Sequence, residues 1–297
     1  MRNAVRVCCA VALLSGTLAI AGCGESTGPA GTGGAGPAVM ADTSFMADIA
    51  QNVAGDRLEV PAVLPLGSDP HTFEPTPQDA RRIADSAAVI INTTGFVPQL
   101  DDLIAGIADD GLLVIEAAAG VEGISQDPHA WLDPVLVVTY AENIAQGLAK
   151  VDPGGVSEYR SNAERYSEAL RQLDSWIADR VRTVPAERRL LVTNHESFGY
   201  FAKRYGFRIV GTVFPTVSGE GSPSAQQVAK LVEEIKATGA PAIFLETGGN
   251  PELAHQVARE TGAKVVTDLC VASLGDNAPT YLDMMRWNVE RIVEALR

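Results

Sequence analysis

Hydrophobic residues along the chain alternate between two spacings. Apolar positions three or four apart, the period of a helix, predict helices at residues 44–53, 77–86, 100–108, 198–205, 224–238, 281–296 and from Pro251 onward. Short apolar or alternating runs between them predict strands at residues 57–64, 87–92, 112–116, 190–193, 207–213, 242–245 and 264–267. This alternation predicts βα units with largely parallel sheets, which is the α/β fold class.

The middle of the chain predicts two consecutive helices, of which the second is unusually long. Asp133 and Pro134 form a typical helix start, and that helix runs to about residue 150. A second helix begins near Pro153, and its apolar stripe continues for almost 30 residues, or about 40 Å. Because βα patterns stand on both sides, we predict two lobes, residues 38–152 and 185–297, joined by a rigid helix at 153–184. A single larger α/β domain is the alternative.

The N-terminus carries an export pattern. Two arginines precede an apolar stretch, residues 7–20, which is too short and too early for a comfortable membrane span. The stretch ends in the letters LAIAGC and resembles a bacterial lipobox, which implies removal of residues 1–22 and lipidation of Cys23. A plain secretory signal with an incidental cysteine is the alternative. Residues 23–37, rich in Gly, Ser, Thr, Ala and Pro, predict a flexible tether to the outer face of the cell membrane.

Composition narrows the function classes. The 297 residues are 46% hydrophobic and 20% charged, which is typical of a soluble globular body. The formal net charge of −14 argues against a nucleic-acid-binding surface, which is normally basic. Only one of the four cysteines, Cys270, lies in the body, so it has no partner there for a disulfide. We expect it to be a core residue rather than a metal ligand.

Three of the four histidines stand in positions that suit a binding site. His71 and His195 each follow a predicted strand, Asp268 follows another, and His129 lies in a loop before a helix. In open parallel sheets, ligands bind beyond the carboxyl ends of the strands. Two of these residues come from each half of the chain, so a shared site would lie between the lobes. Three neutral imidazoles and one carboxylate make a closed tetrahedral zinc site.

Simpler roles and other ligands compete with this interpretation. Each residue alone is as consistent with turn formation or capping as with metal binding. Glu246, at the end of a predicted strand, competes with Asp268 as the fourth ligand but ranks behind it. Its other expected roles are to accept a hydrogen bond from a ligand or to begin the following helix. His255, inside a predicted helix, is expected to lie on the surface or in packing contacts. Without the fourth ligand the site would be open to water, as in a metalloenzyme. The predicted body, residues 38–297, has no HExxH helix and no GxSxG elbow, so we predict no enzyme.

Several stretches together resemble a known family. They are GSDPHTFEPTPQD around His71, DPHAWLDP around His129, VTNHESFGYFAKRYG around His195, FPTVSGEGSPSAQQ in the second half and the closing YLDMMRWNVERI. With them the chain resembles, from about residue 39 to 297, the solute-binding lipoproteins of zinc and manganese ABC transporters, the helical-backbone cluster A family. The resemblance implies two lobes bridged by a long helix and docking onto a membrane permease. It also implies a metal held between the lobes by His71, His129, His195 and Asp268.

The ligand set favours Zn²⁺ as cargo over Mn²⁺. Imidazole-rich sets suit zinc, whereas oxygen-rich sets suit manganese. The interval at residues 116–128 is short and lacks the histidine-rich loop of many zinc members, so Mn²⁺ stays the alternative. We expect a monomer whose partners are the permease and, through the lipid, the membrane, with no nucleic acid. An additional adhesin role is a further alternative.

Overall fold

The computed structural model describes residues 36–108, 111–216, 221–246 and 251–297. The predicted signal peptide, the lipidation site Cys23 and nearly all of the predicted tether lie outside these ranges. Within them, no helix combines the length and the apolar character that crossing a membrane requires.

The first half of the body forms a three-stranded parallel sheet. Its strands, in spatial order, are β1 (Val39–Ala41), β2 (Ala88–Ile91) and β3 (Leu113–Glu116). Four helices accompany the sheet, namely α1 (Ser44–Ala54), α2 (Pro77–Ala84), α3 (Pro98–Ala108) and α4 (Pro134–Val151). The predicted start of α4 is confirmed, because Asp133 caps it by accepting a hydrogen bond from the Val135 N–H.

The strand predicted at residues 57–64 is wrong. This segment makes only one isolated parallel bridge, between Ala62 and Ala41. The side chain of Gln51 takes the place of a neighbouring strand: it donates to the Leu58 carbonyl and accepts from the Val60 N–H, each at 2.9 Å. Alternating apolar residues therefore lie here in a loop: a side chain satisfies the backbone of Leu58 and Val60, and the backbone of residues 41 and 42 satisfies that of residues 61, 63 and 64.

The second half forms a four-stranded parallel sheet. Its strands are β4 (Leu190–Thr193), β5 (Arg208–Thr212), β6 (Ala242–Glu246) and β7 (Lys264–Leu269), in the spatial order β5-β4-β6-β7. Its helices are α6 (Gly199–Tyr205), α7 (Ala225–Thr238), α8 (Glu252–Thr261) and α9 (Tyr281–Leu296). The order brings β6 beside β4, so the residues that follow these two strands are neighbours in space.

One long helix, α5 (Val156–Arg182), joins the halves. Its 27 residues span about 40 Å. It starts later than predicted, because Pro153–Gly155 forms a separate 3-10 turn; two similar turns lie at Ala130–Leu132 and Ala186–Arg188. The predicted apolar stripe is buried throughout, at Tyr159, Ala163, Tyr166, Leu170, Leu173, Ile177 and Val181. The α/β fold with two parallel sheets and a long linking helix is confirmed.

The hydrophobic core is continuous across both halves. One cluster contains α1, α4, α5, α9 and the first sheet, and it also includes Leu191 and Phe244 from the second sheet. Their chain neighbours Leu190, Val192 and Ile243 belong to a smaller cluster with α7 and α8. Because side chains alternate along a strand, the second sheet buries one face in the shared core and the other under α7 and α8. Cys270 is buried, as expected of a core residue.

Candidate metal centre

Each of the three histidines is positioned by local backbone contacts. His71 lies in the loop after the Ala62 bridge, where Asp69 accepts a hydrogen bond from its N–H at 2.9 Å. His129 precedes the 3-10 turn before α4, and its N–H donates to Asp127 at 3.0 Å. His195 follows β4, and the Thr193 hydroxyl donates to its carbonyl at 2.8 Å. The two Asp-Pro-His segments thus form the same kind of turn.

The three imidazoles converge in the interior. Each offers one ring nitrogen, and these nitrogens lie within 4.8 Å of one another. The Nε2 atoms of His129 and His195 are 3.2 Å apart. In tetrahedral zinc with Zn–N bonds of 2.0–2.1 Å, ligand nitrogens lie about 3.3 Å apart. Nε2 of His71 is buried and has no hydrogen-bond partner among the described residues. A metal ion at this point would satisfy it.

Carboxylates occupy the other ring nitrogens of two of these histidines. Oδ1 of Asp127 lies 2.8 Å from Nδ1 of His129, and Oε1 of Glu246 lies 2.7 Å from Nδ1 of His195. Asp127 accepts the Nδ1 proton of His129, and the negative charge of Glu246 at 2.7 Å favours a proton on Nδ1 of His195, so each Nε2 presents its lone pair. Two lone pairs 3.2 Å apart repel unless a cation, either a proton or a metal ion, lies between them.

The pKa values of the histidines follow from burial and from these carboxylates. Burial, reinforced by the charges of the other two imidazoles, lowers the pKa of His71 to about 3. Burial also lowers the pKa of His129, although Asp127 partly opposes it. Burial alone would lower the pKa of His195, but the charge of Glu246 and the hydrogen bond to it raise that pKa above its ordinary value. His71 and His129 are therefore neutral at pH 7, the form that binds metal.

Aromatic rings close one side of the cluster, and a cavity adjoins it. Phe96 meets His71 edge to face at a centroid distance of 5.5 Å, and Trp131 lies 5.1 Å from His129. Both rings are fully buried, so water is excluded on that side. A cavity of about 540 Å³ adjoins the cluster, and its lining includes His71, His195, Glu246, Asp268 and Trp287.

Both candidate carboxylate ligands line the cavity, but each contacts a different residue. Glu246, the last residue of β6, contacts Nδ1 of His195 with its carboxylate. Asp268 lies within β7, one residue beyond the predicted end of that strand, and its Oδ2 is 3.0 Å from Nε of Arg291. In these positions, neither carboxylate joins the three ring nitrogens in the group within 4.8 Å. The ligand role of Asp268 stays a prediction.

Asp127 is a site residue that the sequence interpretation missed. The sequence contains a signal for Asp127, since the tripeptide Asp-Pro-His occurs twice, at residues 69–71 and 127–129. The histidine of each copy belongs to the cluster. The fourth histidine, His255, is exposed on α8, as expected.

Comparison with known proteins identifies the family. Residues 39–295 match the family described as zinc-uptake complex component A, periplasmic. The chain belongs to this family. It is 33% identical to the manganese-binding lipoprotein MntA of Halalkalibacterium halodurans, over 98% of this chain and 99% of that protein. It is 31% identical to the manganese ABC transporter substrate-binding lipoprotein PsaA of Streptococcus pneumoniae, over 87% and 88% of the two chains.

Solved structures agree with the fold. The periplasmic zinc-binding protein TroA of Treponema pallidum superposes with a TM-score of 0.80 at 25% identity, covering 88% of this chain and 99% of that one. The cadmium-bound periplasmic metal-binding protein of Candidatus Liberibacter asiaticus gives 0.79 at 29% identity, covering 88% and 100%. The resemblance drawn from the sequence motifs is confirmed. The names of these relatives include manganese, zinc and cadmium, so they do not decide one metal.

Proposed function

We propose that the protein captures a divalent metal ion, zinc in preference to manganese, and delivers it to the permease of an ABC transporter. The observation that carries this proposal is the convergence of three buried imidazoles, two of them turned by carboxylates so that Nε2 faces the centre. The family and the transporter names of its relatives support a role in uptake. The predicted lipid at Cys23 would hold the protein on the outer face of the cell membrane, and we expect the protein to be a monomer.

The donor set supports zinc. His71, His129 and His195 supply three nitrogen ligands, and imidazole suits zinc better than manganese, which prefers oxygen. The 3.2 Å separation between two of the nitrogens already fits a tetrahedral ion. The carboxylates on Nδ1 increase the basicity of the ligating imidazoles, which strengthens binding further.

Asp268 is the better candidate for the fourth ligand. Glu246 already lies 2.7 Å from Nδ1 of His195, and moving it to the metal would remove the carboxylate beside this imidazole. Asp268 lines the same cavity and is engaged with a part-exposed arginine that solvent can replace. With Asp268 bound, four protein atoms surround the ion and leave no position for a reactive water, as transport rather than catalysis requires.

Metal analysis of protein purified without added metal tests this proposal. We expect one zinc ion per chain by native mass spectrometry and elemental analysis. His195→Ala should abolish binding, and Asp268→Asn should weaken it more than Glu246→Gln, for which a loss of about 10–100-fold is expected. His255→Gln, outside the cluster, is the matched control. Stoichiometric manganese with no zinc would refute the metal assignment, and full affinity in Asp268→Asn would refute the fourth ligand.

A further inference from the structure

Arg291 on α9 holds the carboxylate of Asp268. Its Nε lies 3.0 Å from Asp268 Oδ2. The guanidinium also covers the ring of Trp287 at 4.0 Å from the centroid, and its Nη1 lies 3.9 Å from a carboxylate oxygen of Glu294. Arg291 therefore has three partners, of which Asp268 and Trp287 line the cavity beside the histidines, and of these two only Asp268 offers a carboxylate.

The backbone around Asp268 is fixed, so its side chain must do the moving. Trp287 Nε1 donates to the Asp268 carbonyl at 2.7 Å. Two positions further along, Asn288 accepts from the Cys270 N–H at 2.9 Å and donates to the Cys270 carbonyl at 2.6 Å. These three hydrogen bonds tie the end of β7 to α9. Rotation about the Cα–Cβ bond of Asp268 is then the simplest way for its carboxylate to leave Arg291 and enter the cavity.

We propose that Arg291 is a positioning residue that competes with the metal ion for the Asp268 carboxylate. This inference rests on the proposed role of Asp268 as the fourth ligand. While the carboxylate contacts Arg291, it stays outside the group of atoms within 4.8 Å that the three histidines form. Ligation of the metal and pairing with Arg291 are therefore alternative uses of one side chain, and Arg291 lowers affinity and assists release of the ion.

Separating Asp268 from Arg291 needs little free energy, because the ion pair is weak and each side chain has another partner once they part. The side chains of Arg291 and Asp268 are 35% and 45% exposed, which places the pair among surface ion pairs of small net stability. The contact also lacks hydrogen-bond geometry, since Arg291 Nε has no hydrogen-bond partner among the described residues. When Asp268 leaves, Arg291 keeps the face of Trp287, a favourable cation–π contact.

Arg291→Met tests the competition, because methionine keeps an unbranched apolar stem over Trp287 but cannot pair with Asp268. We expect zinc to bind about two- to fivefold more tightly, as loss of an exposed ion pair allows. Competition with a chromophoric chelator measures the affinity, and stopped-flow transfer to excess chelator should show slower release. Arg291→Lys should restore values near wild type. Arg286→Met is the matched control, since Arg286 lies on the same helix over Trp176 and away from Asp268.

The same substitution in the Asp268→Asn background separates the two proposals. If Arg291 acts through Asp268, Arg291→Met tightens binding in the wild-type chain and changes nothing in Asp268→Asn. An equal gain in both backgrounds would mean a through-space charge effect, and weaker binding would mean that Arg291 presents Asp268 to the metal; either overturns the inference while the fourth ligand stands. If Asp268→Asn alone leaves affinity intact, the fourth-ligand assignment fails and the inference with it.

Discussion

At the scale of single residues, the carboxylates behind the histidines decide the chemistry of the centre. Asp127 and Glu246 each fix a proton on Nδ1, which turns the Nε2 lone pairs of His129 and His195 toward each other. Glu246 also raises the pKa of His195 against the effect of burial, whereas burial lowers the pKa values of His71 and His129. The cluster therefore holds at most one readily exchanged proton, at the place where the metal would bind.

Zinc binding should accordingly release about one proton near pH 6.5, not three. The raised pKa of His195 makes it the imidazole that stays protonated to higher pH, so zinc competes with that single proton. Affinity should fall about tenfold per pH unit below this pKa and level off above it. Calorimetry in buffers of different ionisation enthalpy counts the protons, with His255→Gln as a control. Release of two or three protons would contradict these titration assignments.

The histidines could be predicted from the sequence, and so could Glu246 as an alternative hydrogen-bond acceptor, but which histidine each carboxylate contacts could not be predicted. His71, His129 and His195 stand beside turn and strand-end signals that converge in any parallel α/β fold. The contact of Glu246 with His195 depends on β6 lying next to β4, a spatial order that no local pattern encodes. The pairing of Asp268 likewise depends on where α9 returns across the second sheet.

At the scale of elements, α6 couples the loops that carry His195 and His129. It begins four residues after His195, and the Tyr200 hydroxyl donates to the Glu122 carbonyl at 2.9 Å. At its other end, Arg204 donates to both carboxylate oxygens of Asp174 on α5, each at 2.6 Å, and lies 3.2 Å from Asp133, the N-cap of α4. This short helix therefore bridges the second-half histidine loop, the long helix and the start of α4.

Arg204→Met should loosen this bridge. Asp133 and Asp174 would then face each other without the cation between them, so we expect the melting temperature to fall by about 2–4 °C. Zinc affinity should fall severalfold as well, because the two histidine loops lose a common support. Differential scanning fluorimetry and chelator competition measure both. Arg171→Met, which removes an exposed arginine from α5, is the control; an unchanged affinity in Arg204→Met would show that α6 contributes stability alone.

Periodicity predicted most of the helices and strands, and the wrong strand prediction at residues 57–64 has a specific cause. The range of α9, Tyr281–Leu296, coincides with the prediction because an apolar stripe and the Thr280 N-cap both mark it. The segment at residues 57–64 has an equally regular alternation, but Gln51 occupies the backbone groups of Leu58 and Val60, and only the end of the segment meets β1, through a single bridge. Alternation reports which side chains are buried, whereas a strand also needs a partner.

At the scale of the whole molecule, the two halves are bonded to each other close to the metal centre. Trp131 Nε1 donates to the Val271 carbonyl at 2.8 Å, and the Tyr281 hydroxyl donates to the Trp131 carbonyl at 2.6 Å. The Ser273 hydroxyl accepts from the Gly67 N–H at 2.8 Å. With the shared hydrophobic core, these contacts oppose a hinge motion between the halves.

Metal binding should therefore leave the shape of the molecule almost unchanged. A hinge wide enough to alter the outline would break the Trp131 and Tyr281 hydrogen bonds and open the shared core, whereas rotation of one side chain, Asp268, completes the site. We expect equal radii of gyration with and without zinc by small-angle X-ray scattering, and increased hydrogen-exchange protection confined to the three histidine loops and the end of β7. Trp131→Phe keeps the aromatic packing but loses the hydrogen bond to Val271. In this variant the radius of gyration should change measurably when zinc is added. A clear contraction of the wild-type protein on adding zinc would show that the halves close as rigid bodies despite the shared hydrophobic core.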